Sequence, residues 1–120
     1  MKRYLLLALL FVSQVSATDA LIEVNIARAR RGLPAFIHDV NLYRAAEGCA
    51  QFRADRRIKG HTPNDFAALP PGTLARSAGC GAMETSWGWQ SCCTFDRHTY
   101  AGAAVVIGRD GQRYMHIFVR

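Results

Sequence analysis

Tyr100-Ala101-Gly102-Ala103-Ala104-Val105-Val106-Ile107, followed by Gly108-Arg109-Asp110-Gly111 and then Gln112-Arg113-Tyr114-Met115-His116-Ile117-Phe118-Val119, reads as a β-hairpin. Two runs of small, β-branched and aromatic residues flank a turn built on two glycines. Side chains alternate between faces along a strand. Met115, Ile117 and Val119 therefore face one way and Tyr114, His116 and Phe118 the other, and both sets are largely apolar. A sheet with two apolar faces needs cover on both. Helices from the N-terminal half can cover one; the loop region or a partner must cover the other.

Two helices precede the hairpin. Asp19 is placed to cap the first, whose apolar positions Leu21, Val24 and Ala27 recur every three residues and which Gly32 and Pro34 end. Asp39 caps the second, which carries Leu42, Ala45, Ala46, Cys49 and Phe52 on one face and is expected to stop at Gly60. Residues 61–79 are rich in turn formers and read as an ordered surface loop. Between Gly81 and Thr94 the pattern is that of irregular chain or a short strand. The fold class is α+β, a small α-β-α sandwich with N-terminal helices and a C-terminal hairpin.

The ends and the cysteines bound the setting. Residues 1–17 have the form of a signal peptide: Lys2 and Arg3, an apolar run from Tyr4 to Val12, and the exit Val15-Ser16-Ala17. The remaining 18–120 make one domain. The reading predicts export to a secreted, periplasmic or extracellular location, and no apolar run is long enough for a transmembrane anchor. Of the formal net charge of +6, two charges belong to Lys2 and Arg3. Arg28, Arg30 and Arg31, then Arg53, Arg56, Arg57 and Lys59, read as solvated helix faces; without interleaved aromatics or a named motif they do not point to nucleic acid. Cys49, Cys80, Cys92 and Cys93 form an even set in an exported chain, which predicts a disulfide-stabilised domain. Neighbouring residues in extended chain point to opposite sides, so Cys92 and Cys93 are each expected to bond one of Cys49 and Cys80.

Three segments resemble the CAP superfamily of cysteine-rich secretory proteins, antigen 5 and pathogenesis-related 1 proteins, also called SCP-like domains. Leu21-Ile22-Glu23-Val24-Asn25-Ile26-Ala27-Arg28 with Gly32-Leu33-Pro34 resembles the first helix of bacterial members. Asp39 through Leu42, Ala45-Ala46, Ala50 and Ala54, running into Gly60-His61-Thr62, is similar to their second helix. The closing hairpin is similar to theirs. The resemblance implies a shortened bacterial-type CAP domain at 18–120 with an α-β-α sandwich. It makes His61 a cavity residue and places Glu84 near the family's Gly-Glu-Asn element, although the Asn is missing; the later helix with the second acid and second histidine has no counterpart.

His61, Glu84 and His98 are the candidate binding residues, because two imidazoles and a carboxylate suit a divalent metal such as zinc, here held weakly. His38 reads as a loop residue and His116 as a packed strand residue. Ser86 and Ser91 lie in no GxSxG elbow. Trp87 and Trp89, with Phe95 and Tyr100, offer a platform for a sugar or lipid, but core filling is the simpler role. The expected function is a secreted or envelope module that binds a lipid, glycan or protein ligand without catalysis. The rivals are a metal-dependent hydrolase using His61 and Glu84 and a structural envelope protein.

Overall fold

The computed structural model describes residues 17–83, 89 and 92–120. The predicted signal segment up to residue 16, together with Glu84, Ser86, Trp87 and Ser91, lies outside the described residues. Helix α1 spans Ala17–Ala29 and α2 spans Val40–Arg56; the strands are β1 (Ile37–His38), β2 (Ser77–Met83), β3 (Tyr100–Ile107) and β4 (Arg113–Val119). They form one mixed sheet in the order β1-β3-β4-β2, with β1 parallel to β3 and the other pairs antiparallel. No described helix is long and apolar enough to cross a membrane.

The hairpin is as read, with Ile107 opposite Arg113 across the turn. Its two faces are both buried, and each helix takes one. Leu21 and Val24 of α1 pack with Val105, Met115, Ile117 and Val119. Leu42, Ala45, Ala46 and Cys49 of α2 pack with Ala104 and Phe118 on the other side. The second layer is thus α2 itself, where a loop or a partner had been expected. The reason lies in the short α1–α2 connection, which crosses the sheet edge at β1. His38, read as a loop residue, is part of that strand.

Small residues let α2 lie close. Gly102 of β3 faces Leu42 and Tyr43, and a Cβ there would overlap their backbone. Asp39 caps α2 by accepting from the amides of Asn41 (2.9 Å) and Leu42 (3.0 Å). The helix ends earlier than Gly60. Arg57 adopts the left-handed conformation (φ 55°, ψ 39°) and its amide returns to the last turn of α2. Asp19 lies inside α1 rather than ahead of it. Gly32, at φ 70°, and the amide of Leu33, bonded to the Arg28 carbonyl at 3.0 Å, close α1 as expected.

Two arginines read as solvated are buried. Arg28 stacks on Phe36 and donates to the carbonyls of Pro34 (2.8 Å), Thr94 (2.8 Å) and Asp96 (2.7 Å). Arg53 donates to Lys59 (2.8 Å), Gly60 (3.0 Å), Met115 (2.9 Å) and Gly81 (3.0 Å). Arg30, Arg31, Arg56, Arg57 and Lys59 are exposed, as expected. Asn25 joins Arg28 in holding the connection, exchanging two hydrogen bonds with the backbone of Phe36.

The disulfide framework is not found among the described thiols: no bond joins Cys49, Cys80 and Cys93 to one another. Cys49 belongs to the α2 layer and Cys93 to the α1 layer, so the sheet separates them. The side chain of Cys92 lies outside the described residues. Cys93 meets the Ser77 hydroxyl at 2.9 Å, and the Cys49 thiol donates to the Asp65 carbonyl at 3.4 Å.

The close crossing at Gly102 gives a prediction. Gly102→Ala forces the helix off the sheet, so its cost in chemical denaturation should lie at or above the top of the roughly 1–3 kcal/mol usual for overpacking. A loss below about 1 kcal/mol would mean that α2 does not lie against β3 in this way.

Candidate functional site

The α2 side of the sheet collects Arg53, Asp65 and His116 from the buried polar residues. Cys49 comes from the buried stripe of α2, where the three- and four-residue helical repeat places it beside Ala45, Ala46 and Arg53. His116 comes from β4, on the face shared with Tyr114 and Phe118. Asp65 comes from the loop after α2, in a turn where its amide bonds the Thr62 carbonyl at 3.2 Å. Cys49, Asp65 and His116 are all buried, and one ligand atom from each lies within 4.8 Å of the others.

Asp65 is held from several sides. His61 Nδ1 meets Oδ2 at 2.7 Å and the Thr62 hydroxyl donates to Oδ1 at 3.0 Å. Burial opposes its ionisation, but the hydrogen bond with His61, the nearby His116 and the bonds from Thr62 outweigh it and hold the carboxyl below its usual range. The Cys49 thiol is pushed up to about 12, chiefly by burial and then by Asp65. Such a thiol stays protonated at neutral pH and is no nucleophile by itself. Cys80 stands opposite His116 in the β2–β4 register, on the same face, and is close enough to Cys49 to act on its ionisation.

His116 is the anomaly. It is wholly buried, and neither ring nitrogen has a hydrogen-bond partner among the described residues. Its ring lies 4.8 Å from that of Phe118 and 6.1 Å, edge-on, from that of His61. Burial pushes its imidazole down to about 4, so it is neutral at pH 7.

A cleft of about 310 Å³ opens beside this cluster, between α2 and the loop. Gly48, Phe52, Ala67 and Ala68 form apolar walls, while Thr62, Asn64, Asp65 and Cys49 supply the polar lining. Phe52 is only half-buried because its ring lies on the cleft, under the Arg56 guanidinium.

Of the residues expected at the site, His61 stands at this cluster, half-exposed, with its ring on Asp65. His98 borders a different cleft, with Arg28, Pro34 and Arg97, and lies 3.9 Å from Asp96. Glu84 lies outside the described residues. His116, read as mere packing, was the signal missed: a histidine on the apolar inward face of a strand has to find a polar partner somewhere. Asp65 and Cys49 carried no such mark. Trp89 is buried in the α1 layer, as core filling requires, with its indole N–H donating to Glu23. Phe95 and Tyr100 are each covered by an arginine, Arg31 and Arg120.

No protein-family model matches the chain, and no curated protein matches it.

The neutral, buried His116 sets an acid response. An unfolded chain takes up this proton near pH 6.5, whereas the folded one resists until about pH 4. Stability therefore falls as the pH drops through that window, by a contribution on the order of 3 kcal/mol, and levels off below it. Urea denaturation between pH 7 and 4, with a chelator present, should show this fall in the parent and lose it in His116→Gln. Equal slopes in the two proteins would place the proton uptake elsewhere.

Proposed function

We propose that this chain is an exported or envelope CAP-like module that binds a ligand in the cleft between α2 and the loop after it, rather than catalysing a reaction. One observation carries the reading: the cleft has apolar walls and a few polar groups gathered at one end, the composition of a small-ligand pocket. Its volume stands at the low end of the roughly 300–1,000 Å³ usual for such pockets. That suits a single lipid chain rather than a bulky ring system or a glycan. The raised Cys49 thiol weighs against nucleophilic catalysis. The resemblance of α1, α2 and the hairpin to CAP domains, together with the apparent signal segment, supports export and the module reading. A hydrolase using His61 and Glu84, or a structural protein with no ligand, remains the rival that binding measurements separate.

Gly48 offers a clean test. It faces the cleft, and a Cβ there meets nothing within 4 Å. Gly48→Leu should fill the cleft while stabilising α2 by up to about 1 kcal/mol, since glycine disfavours helix. Binding of a fluorescent fatty acid should be measurable in the parent and fall at least about tenfold in Gly48→Leu. No binding by the parent, or equal binding by both, would remove the cleft from the account.

A further inference from the structure

We propose that Cys49, Asp65 and His116 form the inner ligand set for one zinc-like divalent cation, a site different from the His61, Glu84 and His98 set that the sequence suggested. Three residues from α2, the following loop and β4 bring a sulfur, a carboxylate oxygen and an imidazole nitrogen within 4.8 Å of one another. Zinc bonds of about 2.0–2.3 Å in tetrahedral array put donor atoms about 3.3–3.8 Å apart, so small side-chain rotations close the set.

The unpartnered His116 points independently to a ligand. A wholly buried imidazole with both nitrogens unbonded among the described residues is costly. Coordination through one nitrogen relieves the share of that cost that falls on it, and the ring is neutral, as a metal ligand must be. The carboxylate already has the outer support that metal ligands use, from His61 and Thr62. On binding, the Cys49 S–H bond breaks, the sulfur keeps the electron pair for the metal and the proton leaves to solvent. Thiolate and carboxylate then neutralise the divalent charge. Arg53 is the nearby opposing charge, and its guanidinium is committed to four backbone carbonyls.

The donor set selects the metal. Sulfur and nitrogen suit zinc and its first-row neighbours, whereas magnesium and calcium require oxygen. Cys49 and Asp65 also line the cleft, so a fourth position is reached from there. The site does not depend on a lipid occupying the cleft.

The test uses purified protein, reduced and freed of metal, titrated with zinc by calorimetry and with cobalt by absorption. The expected result is one zinc per chain, with affinity reduced at least about 100-fold in Cys49→Ser, His116→Gln and Asp65→Asn. Cobalt should give a thiolate charge-transfer band that Cys49→Ser abolishes and Cys93→Ser, on the opposite face, retains. Thermal melting confirms that each variant is folded, and a variant that fails this check is replaced by the next of the three. Absence of stoichiometric zinc binding by the parent would overturn the proposal. So would binding that survives in folded Cys49→Ser and His116→Gln, or that is lost instead in Glu84→Gln or His98→Ala. Fatty-acid binding in the absence of metal is read separately, so the two ideas fail independently.

Discussion

A guanidinium cannot be buried without partners, and the whole α2 side of this molecule is arranged around the one at Arg53. Its four backbone acceptors come from the segment just after α2, from the central strand β4 and from the edge strand β2. Among the described residues no carboxylate shares the task, so every bond fixes the course of the main chain. The chain leaving α2 is thereby held against the sheet at Lys59 and Gly60. His61 follows at once, and one turn later Asp65 lies over His116. Arg28 repeats the device on the opposite layer, tying the α1–β1 connection to the segment around Thr94 and Asp96.

Two such anchors explain how a small domain is held without bridges among its described thiols. The sheet keeps the Cys49 and Cys93 sulfurs in different layers, and each sulfur instead meets an oxygen. Close approach of α2 to β3 supplies the rest of that layer's order. Alanines on the helix and Gly102 and Ala104 on the strand bring backbone near backbone, so the helix has little freedom to slide. A cluster assembled from three separate segments needs that rigidity to keep its geometry.

The parts legible in the sequence were those with local periodicity. Alternation in 114–119 gave both faces of the hairpin, and the helical repeat placed Cys49 on the buried stripe, with Asp39 as the cap. Other features had no local mark. Strand β2 is mostly Ser, Ala, Gly and Cys; its first residues, up to Gly79, read as loop and those from Gly81 as irregular chain or a short strand, and it is one strand because β4 offers it a free edge. Arg28 and Arg53 read as surface charge because their acceptors are carbonyls, which every residue carries. Arg57, not glycine, ends α2, since tertiary bonds to the following segment offset its left-handed backbone. Within the site, His61 was read as a binding residue, through a resemblance, whereas Cys49 was read as a disulfide cysteine and His116 as a packed strand residue; Asp65 and His116 meet through tertiary structure alone.

The central claim is that Arg53 holds the loop bearing His61 and Asp65 in place. Hydrogen exchange of the backbone amides in Arg53→Lys, which keeps the charge but loses the fork, tests it most directly. The account predicts that amides of residues 58–68 exchange much faster than in the parent, while those of α1 and β3 on the opposite layer keep most of their protection. Unchanged protection of 58–68, or an equal loss across both layers, would contradict it.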